Sequence, residues 1–237
     1  AISFNYHPND KLLMKLIGTV FNSYEEVTYD ILKEYWIGLA TGSAAKRDSL
    51  INIGVGSSLE HARNFLTSKI YSLDYKGSFI ANDGNWKWGL KVQKELIDDE
   101  ISEWEMLDSA GVSIPYSDED FSLYYVNKTN NTLNNSRISG FIQRTKDFHL
   151  TKGSVFVTLG LRTSYWDYNK EITYSPRGSI VLKPEMTPNL TWHFSSGLYY
   201  QPPFYKELRD QNGKLYPNKK AQRSLQFVIG ADYNFIA

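Results

Sequence analysis

Apolar and polar residues alternate one for one over much of this chain, most cleanly between Leu190 and Tyr200. Leu190, Trp192, Phe194, Leu198 and Tyr200 fall on one side, against Thr191, His193, Ser195, Gly197 and Tyr199 on the other. A period of two marks a strand whose faces meet different surroundings. The same pattern predicts a strand over 154–168, with Val155, Val157, Leu159, Leu161 and Tyr165 outward and Thr158, Gly160, Arg162 and Ser164 inward. It predicts another over 223–236, where Leu225, Phe227, Ile229, Ala231, Tyr233 and Phe235 oppose Ser224, Gln226, Gly230, Asp232 and Asn234. Further strands are expected over 2–6, 12–21, 59–80, 86–106 and 137–150, and in a hairpin arm that starts at Tyr174.

The links between these strands sort by length. Short turns are expected at 8–11, 81–85, 151–153 and 184–189, where Pro, Asn, Asp and Gly cluster. Long links are expected at 22–58, 107–135 and 201–222, with 169–173 as a short exception. The 22–58 link reads as an external loop with local structure, and its YEEVTYDILKEYWIG stretch suits a helix or an extended excursion. Short turns at one end and long loops at the other are the asymmetry of an outer-membrane barrel.

The bulk composition narrows the classes. The formal net charge of the 237 residues is zero, which argues against an electrostatic nucleic-acid binder. There is no cysteine, so disulfides and thiolate metal sites are excluded. No apolar run approaches the ~20 residues of a membrane helix, but a transmembrane barrel strand needs only about 10 residues of alternation. The opening AISFNYHPND has neither the basic head nor the apolar core of a signal peptide. It resembles a strand tail entering a turn, as in a piece of a longer chain.

Three features favour lipid over a packed partner sheet as the solvent of the apolar faces. The polar faces carry Gly, Ser, Arg and Asn, which suit a wet lumen. Aromatics gather near strand ends, at Trp86 and Trp88, Tyr165 and Trp166, Tyr199 and Tyr200, and Tyr233 and Phe235, as in interfacial girdles. The third feature is the sorting of loop lengths. The expected fold is therefore all-β: an antiparallel up-and-down transmembrane β-barrel, partial, with about eight full strands plus a stub. Two alternatives stay open: a complete small outer-membrane barrel (a pore or a lipase-like enzyme), and a secreted β-sandwich that binds glycans.

The segment GFIQRTKDFHLTKGSVFVTLGLRTSYWDYN, then SPRGSIVLKP, then NLTWHFSSGLYYQPPFYKELRD, resembles consecutive strands of TonB-dependent receptors. The matching features are Gly160-Leu-Arg followed by Tyr165 and Trp166, the Ser175-Pro-Arg strand, and the Gly-aromatic, Pro, Glu-Leu box from Gly197 to Leu208. The likeness covers Gly140 to Phe235, and the rest follows in pattern only. The tyrosine-rich style is similar to receptors of Bacteroidota. The chain departs from a whole receptor in lacking a plug domain, its energy-coupling box and a terminal strand. The resemblance implies that residues 1–237 are one barrel segment, and that the role is energised import of a bulky nutrient (siderophore, cobalamin, glycan or peptide) rather than catalysis. It also implies outer-membrane lipid around the barrel, an inner-membrane TonB energy complex acting through the plug, and a surface lipoprotein as a further partner. No nucleic-acid partner and no cofactor are expected.

The residues themselves offer little catalytic chemistry. His7, His61, His149 and His193 form no paired metal-ligand motif. There is no GxSxG and no phosphate-binding glycine loop. Asp98, Asp99 and Glu100 read as a solvated strand extension, with acid–base or calcium chemistry as the sharper alternative. Four Asn-x-Ser/Thr matches in asparagine-rich loops read as chance. The best ligand-facing group is Tyr199, Tyr200, Gln201, Phe204, Tyr205 and Arg209, joined by Trp166 and Tyr168. Aromatics with a few polar groups at a loop mouth can stack a sugar or grip a chelate; the plainer role is anchoring the loop and the upper girdle.

Overall fold

The computed structural model describes residues 1–39, 51–111 and 123–235. Nine strands follow one another in a single sheet whose spatial order is the chain order. They are β1 (Ile2–Asn9), β2 (Leu12–Leu39), β3 (Ile51–Ala81), β4 (Gly84–Asp108), β5 (Tyr125–Leu150), β6 (Gly153–Trp166), β7 (Glu171–Pro184), β8 (Leu190–Gln201) and β9 (Gln222–Tyr233). Every neighbouring pair is antiparallel. The all-β, up-and-down expectation is met. The sheet is open, with β1 and β9 as its edges.

The register carries one row across six strands, β2 to β7. Leu12 pairs with Phe79, Phe79 with Trp86, Trp86 with Arg144, Arg144 with Leu159, and Leu159 with Gly178. Because side chains alternate strictly, every apolar stripe read from the sequence lands on the same face. Val20, Leu73, Leu90, Ile142, Leu159, Leu225, Phe227 and Ile229 are all exposed there. The opposite face carries Ser72, Lys91, Gln93, Ser139, Thr158, Arg162, Ser175, Arg177, Ser195 and Gln226 at the paired positions. Glycines on these faces make room for aromatics: a side chain at Gly77 would collide with the Trp88 indole, and one at Gly89 with the Phe141 ring. Both are directly cross-strand, the closest side-chain pairing in a sheet.

Two expected loops are strand. Of the link expected at 22–58, the described residues 22–39 and 51–58 are instead parts of β2 and β3, paired from Asn22↔Lys69 to Ile37↔Gly54. Its charges, which suggested a helix or loop, find cross-strand partners: Lys33 meets Glu60, and Asp30 meets both His61 and Arg63. Polarity there marks water on the strand, not absence of a strand. The stretch GLATGSAAKRDS, expected as loop, lies almost wholly outside the described residues. The second correction concerns 107–135. Residues from Tyr125 onward belong to β5, although asparagine has poor strand propensity; pairing with β4, from Trp104↔Val126 to Glu95↔Asn135, overrides it. A smaller difference lies in β1, which runs through His7 to Asn9; the Asn9 side chain accepts from the Lys11 and Leu12 amides and closes the turn.

The buried core is not between layers. It lies where the link between β8 and β9 folds back over the polar face, across the middles of β3, β4 and β5 and the end of β6. Leu208 of the link, 1% exposed, packs on Ile97, Leu133 and Trp166, with Leu66, Tyr168, Tyr205 and Leu215 around them. Burying one such leucine stabilises the docked link by about 1.5–3 kcal/mol.

Candidate ligand site

The link from Pro202 to Ala221 is built around one turn of 3-10 helix, Tyr205–Leu208. The turn starts where the Glu207 carboxylate accepts from the Phe204 amide at 2.9 Å. Arg209 and Leu215 form an antiparallel bridge that closes the loop beyond it. Polar contacts then pin the link to the sheet. Tyr205 Oη donates to Asp99 Oδ2 at 2.8 Å, and Arg209 Nη1 donates to the same oxygen at 3.0 Å. Lys206 pairs with Glu25 at 2.5 Å, and Asn131 Nδ2 donates to the Gly213 carbonyl at 2.8 Å. At the base, Glu171 accepts from the Ala221 amide and from Asn169.

Asp99 is 4% exposed, so the solvated reading of the acidic run is corrected for this residue. Asp98 and Glu100 are exposed, as expected, because alternation turns them to the other face. The Tyr205 hydroxyl is pushed far above the ordinary phenol range, first by burial and then by its bond to the Asp99 carboxylate. It stays a protonated donor at every physiological pH. Burial likewise raises the Tyr168 hydroxyl.

Trp166 also departs from one expectation. It is not a girdle residue: the register turns it inward, where it is 3% exposed. Its Nε1 donates to Asn135 Oδ1 at 2.7 Å, the Arg137 guanidinium lies 4.2 Å over its ring, and Tyr168 stacks obliquely at 5.3 Å. Arg137 Nε also sits 3.2 Å from Glu95 Oε1, a charge contact without hydrogen-bond alignment.

The eight predicted site residues therefore separate into two groups. Tyr205, Arg209, Trp166 and Tyr168 belong to the anchored link and the core beneath it. Tyr199 and Gln201 line a concave space of about 660 Å³ on the polar face, below the link, and Tyr200 borders it although the register sets it on the apolar side. Phe204, in the link just before its 3-10 turn, is exposed. Tyr199 lies over Gly197, where any side chain would clash with its ring, and the Arg177 guanidinium caps the same ring at 4.5 Å.

The sequence reading did not assign Lys91, Arg162 or Arg177 to the site, yet all three line that space with Gln93, Ser139 and Ser175. The signal was available in alternation: each holds the inward parity of its strand. No group of acidic or histidine side chains among the described residues has the geometry of a metal site. What the arrangement can do is bind: it offers guanidinium and ammonium donors, hydroxyls, amides and one rigid ring. No protein-family model matches this chain, and no curated protein matches it.

Proposed function

We propose that this chain is a segment of an outer-membrane TonB-dependent receptor barrel that imports a bulky nutrient. The observation that carries the reading is the division of the sheet into one exposed apolar face and one hydrophilic concave face across consecutive antiparallel strands. A soluble sandwich covers its apolar face with a second sheet; among the described residues, Leu73, Leu90, Leu159 and Phe227 of that face are exposed. Along β2 the outward stripe of Leu12, Met14, Leu16, Gly18 and Val20 spans eight steps, about 26 Å of strand at ~3.3 Å each. Outer-membrane barrels carry an apolar band about 25 Å tall. The open edges support a larger closed barrel, since unpaired backbone groups are not tolerated in lipid. The link folded over the polar face, with β2 to β5 reaching beyond the apolar band, suits a receptor mouth.

On this reading the lipid-facing side is the Leu90, Leu159 and Phe227 face, and the polar face looks into the lumen. The inner-membrane energy complex acts through a plug supplied elsewhere in the parent protein, and a surface lipoprotein partner would meet the tall β2 to β5 wall. The test is to express the complete parent gene in a Gram-negative host, separate inner from outer membranes, and run the product with and without boiling. An outer-membrane product that migrates faster unboiled supports the barrel. A soluble product with no heat shift overturns it and leaves a glycan-binding sandwich as the better account.

A further inference from the structure

We infer that the concave polar face holds a binding site for a small, multiply charged anion bearing carboxylate or phosphate groups. The inference deepens the receptor reading by naming the class of cargo, and it rests on that reading. Four cationic residues of the polar face line the space, Lys91, Arg137, Arg162 and Arg177, and Arg223 borders it from the apolar parity of β9. No carboxylate lines it. Arg137 has the Glu95 carboxylate as counter-charge and lies over the Trp166 ring. Among the described residues, Lys91, Arg162 and Arg177 have no carboxylate within ion-pair distance. Asp74 stands directly opposite Lys91 in the β3–β4 register, with its carboxylate beyond ion-pair distance.

Geometry concentrates this charge. Arg162 pairs with Ser175 and Arg177 with Gly160, so the two arginines are diagonal cross-strand neighbours, about 7–8 Å apart at the backbone. Lys91 stands on the same row as Ser139 and Ser164. Apart from Arg162, Arg177 and Arg223, each described arginine has a carboxylate within ion-pair distance: Arg63, Arg137, Arg144 and Arg209. Cations left together without counter-charge repel one another, and an anion relieves that repulsion. Guanidinium forks match carboxylate and phosphate oxygens in pairs. Ser139, Ser164, Ser175, Gln93 and Gln226 supply neutral donors around them. The volume, about 660 Å³, falls within the ~300–1,000 Å³ of small-ligand sites.

The experiment uses the full-length parent protein in detergent at low salt. Citrate and pyrophosphate are titrated calorimetrically, with sucrose as the neutral probe. Both anions are expected to bind and sucrose not. The double variant R162Q/R177Q should weaken anion binding at least tenfold, and added salt should weaken it in the parent protein. The variant K69Q/K94Q, on the apolar side of the sheet, should leave it unchanged. The inference is overturned if neither anion binds at millimolar concentration, or if R162Q/R177Q binds as well as the parent. It is equally overturned if anions bind only after an upstream domain is cut away, which would make the cationic wall a docking surface for protein. Membrane fractionation and heat-shifted migration of the same preparations separate the two readings. A heat-shifted outer-membrane protein that binds no anion loses this inference alone; a soluble protein loses the receptor reading, and its anion titration still decides the site.

Discussion

Arg209 Nη1 lies 3.0 Å from Asp99 Oδ2, joining the β8–β9 link to the middle of β4. The Tyr205 hydroxyl reaches the same oxygen, so one buried carboxylate holds two points of the link. Replacing Asp99 by Ala strands Arg209, whose side chain is only 20% exposed. Breaking a fully buried pair from one side costs ~3–5 kcal/mol; partial exposure of Arg209 reduces this to about 1–3 kcal/mol. The expected result is release of the link with the sheet intact. Trypsin should then cut at Lys206, Arg209, Lys214 or Lys219 in D99A far faster than in the parent, and the heat-shifted migration should survive.

Trp166 tests the core under the link. Trp166→Phe keeps most of the volume but leaves Asn135, 1% exposed, without the donor that reaches its Oδ1. The cost expected for that orphaned acceptor is about 1–3 kcal/mol. Trp166→Ala adds a cavity and should cost ~3–5 kcal/mol. Thermal unfolding followed by loss of heat-shifted migration should rank the parent above W166F and W166F above W166A.

The two faces of β6 and β7 predict opposite tolerance to charge. Leu159, 65% exposed on the apolar face, should not accept arginine, because a cation at the bilayer midplane of a barrel costs ~2–4 kcal/mol. Ser179, opposite Thr158 on the polar face, should accept lysine with little loss. Quantifying each variant in the outer-membrane fraction checks this; equal assembly of L159R and S179K would remove the lipid-facing assignment.

Asp30 stands on the polar extension of β2, beyond the apolar stretch, and bonds Arg63 and His61 at 2.5 Å each. Its carboxyl is held below the ordinary 3.8, first by the Arg63 bond and then by His61. A depressed folded value contributes stability that is present above pH 3.8 and lost as the pH falls through the folded value. Carboxyl-carbon NMR in detergent should place the Asp30 midpoint below 3.8, and Arg63→Gln should move it upward.

Alternation carried most of the fold. The apolar positions of 12–20, 71–79, 86–92, 155–165 and 190–200 all lie on one face, because a period of two assigns faces without reference to any partner. The ends of the long strands were not legible in the same way. From Tyr24 to Trp36 and from Tyr125 to Asn135 polar side chains occupy both faces and break the clean alternation, since both faces there meet water or the folded link, and pairing with β3 and β4 makes them strands.

The candidate site followed the same division. The sequence by itself determined which residues look inward, Arg162, Arg177 and Tyr199 among them, because parity along a strand is a local property. It did not determine which inward residues are left free. Arg209 and Tyr205 looked like ligand groups until the link folded onto Asp99, more than a hundred positions away in the chain. Trp166 looked like a girdle until Leu208 and Asn135 closed around it. Satisfaction of a buried donor or charge depends on contacts between distant segments, and only the tertiary structure decided those.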